Sequence, residues 1–330
     1  MEPTETQVSQ PGETPEAETH DKPLLTVEQQ IAHLKAKGVT FDLCDEEEAA
    51  TYLSGKCNFF RVTAYRKLFD KHVGGECDGQ YTNLDFAQLR YLSSLDRRLR
   101  DILLPMTLDL EHFEKARLLN SAEANGEDGY SVVADFMGQS AKERRYIESQ
   151  LEMRRNDVYS GALIRKYRDE MPLWAFLEVV SFGTFVGLVK FCADRWGDDA
   201  LLVRHYLLKK GKSIRNASAH SLCILNDLQE YDIPTERVSP VVSKAIAECG
   251  VSKRLRSKKL RSPRMVQVAT LLYLYGVAAP SGASRSQRSL ALAAFFDYVD
   301  ENARMLDESS PAVSSIGFIR RLTDGFNLLD

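Results

Sequence analysis

The sequence predicts an all-α fold, a helical bundle, and three observations support this prediction. Apolar residues recur at three- and four-residue spacing along most of the 330 residues. Regular apolar/polar alternation joined by hairpin turns does not occur in the sequence. No Gly-rich phosphate loop of the GxGxxG or GxxxxGK[ST] type is present. With 44% hydrophobic residues, the chain can bury an extensive core.

Capping residues mark the first two helices. Thr26 is a candidate N-cap with Gln29 in the capping-box position, and Gly38 ends the apolar pattern that follows. Asp45 begins a second short helix, which Gly55 ends. The sequence therefore predicts two short helices before the main body.

The composition indicates a cytoplasmic protein with an acidic N-terminal tail. Residues 1–22 are polar, acidic and proline-containing, which is typical of a disordered tail and unlike a signal or transit peptide. The six cysteines are far apart and lack zinc-site spacing, so we expect reduced thiols, no metal and no cofactor. The net charge of -4 restricts any nucleic-acid contact to a local basic patch.

Two long apolar segments form the predicted body. Residues 83–119 carry a helical apolar pattern in which Pro105 predicts either one bent helix or two helices. Residues 171–193 are more apolar, but they contain Glu178 and Lys190, so a buried core helix is favoured over a membrane span. In such a helix we expect Glu178 either to pair with a buried arginine or to help order a functional site.

The sequence suggests three parts. The tail covers residues 1–22, a helical domain covers residues 23–235, and a Pro/Ser-containing break separates it from a basic and helical extension over residues 236–330.

The stretch "SIRNASAH" combines residues that suit RNA chemistry. We expect the helix before it to end at Gly211 and a new helix to begin at Ser213 as N-cap. His220 could transfer protons, Arg215 could bind the scissile phosphate, and Asn216, four residues before His220, could orient the imidazole or contact phosphate. The alternative is that Arg215 and His220 lie on a helix end and have no catalytic function. An Arg followed by a His at similar spacing also occurs in "RKLFDKH", where no function is indicated.

A wider resemblance favours catalysis. "RNASAH" resembles the Arg-x4-6-His motif of the HEPN superfamily of helical RNases and RNA-binding proteins. Five blocks resemble, in order, the Abi-like proteins of the AbiD/AbiF abortive-infection type over roughly residues 23 to 230. The blocks are "LTVEQQIAHLKAKGVTF", "EEAATYLSGKCNFFRVTAYRKLF", "LRYLSSLDRRLRDILLPMTLDLE", "MPLWAFLEVVSFGTFVGL" and "IRNASAH".

The resemblance implies a HEPN-like bundle with additional helices on both sides. It also implies a homodimer whose facing motifs form one metal-independent ribonuclease site, with RNA as substrate. The implied role is bacterial phage defence, with an antitoxin or a small RNA as a regulator. By match, Arg215, Asn216 and His220 take the catalytic positions. The alternative is a non-catalytic helical RNA-binding or protein-interaction regulator. Phe59 and Phe60 stand where the family often has tyrosines, and "SLCILND" lacks the Arg and Trp of the family's block after the histidine.

Other cationic residues are candidates for binding the RNA backbone. The alternative is that they belong to a solvated surface loop without a binding role. Arg61 lies in "NFFRVTAY", whose Phe59, Phe60 and Tyr65 are expected to pack in the core. The other candidates fall within one twelve-residue segment: Lys253, Arg254, Arg256, Lys258, Lys259, Arg261 and Arg264.

Overall fold

The computed structural model of the protein describes residues 24–226, 228 and 236–329, and the expected tail over residues 1–22 lies outside them. Within these residues α-helices dominate, which confirms the all-α prediction. The helices are α1 (Val27–Ala36), α2 (Glu46–Gly55), α3 (Phe59–Thr63), α4 (Phe86–Ala124), α5 (Ser131–Gly138), α6 (Ala141–Met153), α7 (Gly161–Lys166), α8 (Leu173–Val179), α9 (Phe182–Trp196), α10 (Asp199–Ala219), α11 (Pro240–Glu248), α12 (Lys253–Lys259), α13 (Pro263–Ala278), α14 (Ala283–Glu301) and α15 (Pro311–Gly325).

The expected caps of the first helices are confirmed. The hydroxyl of Thr26 accepts from the backbone N–H of Gln29, whose side chain accepts from the Thr26 N–H, so the capping box is complete. Asp45 accepts from the backbone N–H of Glu48 at 2.8 Å and caps α2. A two-residue parallel pair, β1 (Val39–Thr40) with β2 (Leu84–Asp85), joins this region to the start of α4.

The longest helix, α4, is one continuous element of 39 residues that contains Pro105, so the single-helix alternative is correct. Asp85 caps its first turn through the backbone N–H of Ala87. The same carboxylate accepts from the backbone N–H of Asp42 at 2.7 Å. The start of α4 is thereby fixed against the chain that follows β1.

The apolar segment 171–193 forms two helices, α8 and α9, rather than one. Val180 is extended, and the hydroxyl of Ser181 caps α9 by accepting from the N–H of Thr184 at 3.1 Å. Glu178 lies on the exposed side of α8, so the expectation of a buried arginine pair is wrong. None of the helices in the described residues combines the length and the hydropathy that crossing a membrane requires.

The helix that carries the motif, α10, is continuous from Asp199 to Ala219, so the predicted break at Gly211 is wrong. Gly211 is buried, and a Cβ placed there would lie 3.6 Å from Cδ2 of Leu110 on α4. This glycine thus lies inside α10 at its contact with α4. Ser213 does not cap a helix, because its hydroxyl donates to the carbonyl of Lys209 one turn earlier, at 3.2 Å.

The helices after residue 235 share the hydrophobic core of the preceding ones. α13 packs against both α10 and α4, α14 packs against α4, and α15 packs against α13. In α13 the buried residues include Met265, Leu272 and Tyr275, whose hydroxyl donates to Asp109 of α4 at 3.0 Å. The C-terminal helices therefore extend the bundle that holds the motif.

Two glycines of α15 test how tightly this extension is packed. A Cβ at Gly325 would overlap with Cβ and Sγ of Cys249, which follows α11, whereas a Cβ at Gly317 meets nothing within 4 Å. We expect Gly325→Ala to lower the free energy of unfolding by about 1–3 kcal/mol through overpacking. Gly317→Ala, in the same helix, should raise it by about 0.5–1 kcal/mol. Urea denaturation measures both, and equal effects would contradict this packing.

Candidate functional site

The motif lies in the last turns of α10, not in the first turns of a helix as its sequence suggested. His220 is the C-cap residue, and Ser221 follows with a positive φ of 54°. The N–H of Leu222 donates to the carbonyl of Ala217 at 2.8 Å, and that of Ser221 donates to Ser218 at 3.0 Å. These two bonds form a Schellman motif, which ends the helix directly after the histidine.

The three predicted catalytic residues are close in sequence but differ in exposure. Asn216 and His220 are exposed, whereas Arg215 is half-buried. Nη1 of Arg215 donates to Oδ1 of Asn216 at 3.3 Å. Asn216 therefore orients the guanidinium of Arg215, a role that the helical spacing did not reveal, while His220 presents its imidazole at the helix end.

A buried carboxylate fixes the chain that follows the motif. Asp96 of α4 is fully buried, and its Oδ1 accepts from the backbone N–H groups of Ile224 at 2.8 Å and Leu225 at 2.6 Å. Its Oδ2 accepts from the hydroxyl of Tyr65 at 2.8 Å and from the guanidinium of Arg100. One side chain thus connects α4, the segment after α3 and the segment after His220.

Burial and charge act in opposite directions at this carboxylate. Burial raises the pKa of Asp96, whereas the Arg100 guanidinium and the N–H groups of Leu225 and Ile224 favour its charged form. Burial, with the nearby Asp96 carboxylate, raises the pKa of Tyr65, so its hydroxyl remains a proton donor. The network is therefore a set of donors around one carboxylate.

Two arginines hold the carbonyl groups of the same segment. Arg100 donates to the carbonyl of Leu222 at 3.3 Å, and Arg264 of α13 donates to that of Cys223. Residues 222–225 are thereby bonded through both N–H and carbonyl groups. The position of the chain after His220 is set by α4 and α13.

Two clefts adjoin at the end of α10. The large cleft, of about 1270 Å³, runs along α2 and α4 and includes Ser218 and Ser221 in its lining. The small cleft, of about 360 Å³, lies between α3, α10 and α13 and also includes Ser221. Arg61 lines both clefts. The residues around the motif therefore border two clefts, whereas Arg215, Asn216 and His220 themselves line neither.

Buried polar atoms without a hydrogen-bond partner concentrate at this place. Among the described residues, five side-chain atoms are in this condition, and three of them belong to Arg215 (Nε), Ser218 (Oγ) and Asn226 (Oδ1). Such groups are uncommon in folded proteins, and where they occur they indicate strain or a functional role. The motif and the segment after it therefore contain hydrogen-bonding groups that no other group in the described fold bonds.

The predicted RNA-binding cations differ in how far they are exposed to solvent. Lys259 is buried and its Nζ donates to the hydroxyl of Ser315 at 3.2 Å, so its assignment to RNA binding is wrong. Arg264 is half-buried and holds the carbonyl of Cys223, which gives it a structural role. Arg61 and Arg256 are half-buried. The exposed members are Lys253, Arg254, Lys258 and Arg261.

The aromatic residues of "NFFRVTAY" do not share one environment. Tyr65 is buried as expected, and Phe59 packs partly buried against the core. Phe60 is 84% exposed, so the expectation that it packs in the core is wrong. α3 is a short helix on which adjacent side chains point about 100° apart, so Phe59 faces the core while Phe60 faces solvent.

Comparison with known proteins identifies the family. The sequence model described as Abi-like protein matches residues 52–226, more than half of the chain. The chain belongs to the Abi-like protein family. The match runs from α2 to Asn226, and helices α11–α15 lie outside it. The motif and Asp96 of this Abi-like protein lie within the matched region, as do most residues that line the two clefts. No curated protein and no solved structure matches the chain.

Sequence reasoning did not identify Asp96, although the sequence contains a signal for it. Asp96 falls between Leu92 and Leu99 on the apolar stripe of α4, and Arg100 follows four residues later. A carboxylate on a buried stripe needs a charged or hydrogen-bonding partner. The partners in the segment after His220 are more than 120 residues away and could not be read from the spacing.

Replacing Asp96 tests its role in the fold. Asp96→Asn would leave the guanidinium of Arg100, which is 8% exposed, without its anion. We expect the free energy of unfolding to fall by about 3–5 kcal/mol, the usual cost of breaking a buried pair. The matched control is Asp101→Asn in the exposed i,i+4 pair with Arg97, which should change it by less than about 1 kcal/mol. Similar losses in both variants in urea denaturation would contradict this assignment.

Proposed function

We propose that this Abi-like protein is a metal-independent endoribonuclease of the HEPN type that acts in abortive-infection phage defence. The family itself suggests a role in abortive infection. The observation that carries the nuclease proposal is the end of α10, where His220 is exposed, Arg215 lies half-buried five residues earlier, and the adjacent Ser221 lines two clefts. The unpartnered Nε of Arg215 and Oγ of Ser218 support a polar ligand at this point.

The reaction uses the ribose 2′-hydroxyl of the RNA as nucleophile. His220 removes its proton, the 2′-oxygen forms a bond to the adjacent phosphorus, and the bond from phosphorus to the 5′-oxygen of the next nucleotide breaks. A proton from an imidazolium neutralises the leaving 5′-oxygen. Arg215, oriented by Asn216, stabilises the negative charge of the phosphorane. The products are a 2′,3′-cyclic phosphate and a 5′-hydroxyl, and DNA is not cleaved because it lacks the 2′-hydroxyl.

Two protomers complete the site in this proposal. The reaction needs a base and an acid, and each motif contributes one imidazole. On α10 an exposed face at three- and four-residue spacing leads to the motif, which suits packing against the same face of a second copy. Its exposed members are Tyr206, Lys209, Asn216 and His220, and Ser213 lies half-buried on the same face. We propose that the homodimer forms along this face and that the partner's imidazole supplies the second proton transfer.

Cleavage of single-stranded RNA in EDTA tests the proposal. We expect wild-type protein to release fragments with 2′,3′-cyclic phosphate ends, detected by mass spectrometry. His220→Ala should lower kcat by about 100-fold or more, as is usual for removing a general base. Arg215→Ala should have a comparable effect, because the charge on the phosphate loses its counterion.

Matched controls separate catalysis from a general loss of structure. His112→Ala and Arg321→Ala replace exposed residues of the same types elsewhere on the protein and should leave kcat unchanged. Full activity of both His220→Ala and Arg215→Ala would contradict the nuclease assignment. RNA binding without cleavage by the wild-type protein would instead favour a non-catalytic RNA-binding regulator.

A further inference from the structure

The small cleft beside the motif has the character of a site for a small planar group. Its volume of about 360 Å³ lies in the range of small-molecule sites, and its walls are mainly apolar. Phe60 and Leu222 line it with side chains that are 84% and 57% exposed. Large apolar side chains at such exposure beside a cleft offer a flat surface for a stacking partner.

A polar group inside the cleft can read the edge of such a partner. Asn226 lines the cleft, and its Oδ1 is buried without a hydrogen-bond partner. A primary amide presents one acceptor and two donors, which match the edges of nucleobases. Asn226 is held in place because the preceding residues, Ile224 and Leu225, donate their N–H groups to Asp96.

The charge of the cleft favours an anionic ligand. Two guanidinium groups, those of Arg61 and Arg264, line it. Arg61 also lines the large cleft, and Ser221, which borders both clefts, directly follows His220. A phosphate bound at Arg61 would therefore be near both clefts.

We propose that this cleft holds one unpaired nucleobase of the RNA substrate. The base stacks on Phe60, its edge bonds to the amide of Asn226, and its phosphate contacts Arg61. This inference rests on the proposed ribonuclease function and adds a recognition site to it. Single-stranded RNA is read in this way, by stacking on aromatic side chains and by hydrogen bonds to base edges. The enzyme then selects the RNA position at which it cuts by the identity of this base.

Binding to short fluorescein-labelled oligo(A), oligo(C), oligo(G) and oligo(U), measured by anisotropy, tests the inference. All proteins carry His220→Ala, so that binding is observed without cleavage. Phe60→Ala should weaken binding of the preferred oligonucleotide by about tenfold, the usual effect of losing one stacked base. Phe60→Trp should retain the affinity, which excludes a folding defect as the cause. Tyr159→Ala removes a ring that is 95% exposed elsewhere and should have no effect.

Base selectivity distinguishes recognition from general attraction. Asn226→Ala should reduce the difference in affinity between the best and the worst oligonucleotide. Lys253→Gln, at an exposed position of α12, should instead weaken all four equally through the phosphates. Unchanged affinity in Phe60→Ala together with unchanged selectivity in Asn226→Ala would overturn the inference.

Free nucleotides carry the same base and phosphate groups as RNA and are the other candidate ligands of this cleft. AMP, CMP, GMP and UMP should compete with RNA for the His220→Ala protein, because base and phosphate occupy the same cleft. A mononucleotide that binds through Phe60 and Asn226 without displacing RNA would overturn the substrate assignment and indicate a separate nucleotide site. The test of the base site does not depend on cleavage. If wild-type protein binds RNA selectively but does not cut it, the nuclease proposal fails and the base-site proposal remains.

Discussion

The bonds of the Asp96 carboxylate are the constraint on which the candidate site depends. Two backbone N–H groups, a tyrosine hydroxyl and a guanidinium meet at this one buried side chain. They come from three parts of the chain that are distant in sequence. A carboxylate taken from water is costly unless its oxygens are fully bonded, so the arrangement favours one position for each of these parts.

This constraint explains how an exposed motif at a helix end can have a defined geometry. The segment after His220 leaves α10 through a Schellman motif and is bonded to Asp96, Arg100 and Arg264 within five residues. Both clefts are lined by this segment or by the last turn of α10. The core thus positions a surface site, while the motif itself keeps Asn216 and His220 exposed for a ligand or a second copy.

Local rules predicted local features, and tertiary packing decided the rest. The Thr26 capping box depends on four successive residues and was correct. Gly211 predicts a helix end by residue type, but α10 continues through it where it packs against α4. Lys259 is buried and Phe60 is exposed, the opposite of what their residue types predict, and Lys259 bonds to Ser315, 56 residues away. The positions of the motif residues in the sequence were evident, whereas the Asp96 anchor and the clefts depend on contacts between distant segments.

Amide hydrogen exchange of Ile224 and Leu225 tests the central constraint most directly. If Asp96 accepts from both N–H groups as described, these two amides exchange as slowly as core amides of α4, although they lie outside any helix. In Asp96→Asn they should exchange far faster than the core of α4. Exchange of both amides in the wild-type protein at the rate of an open loop would contradict the account.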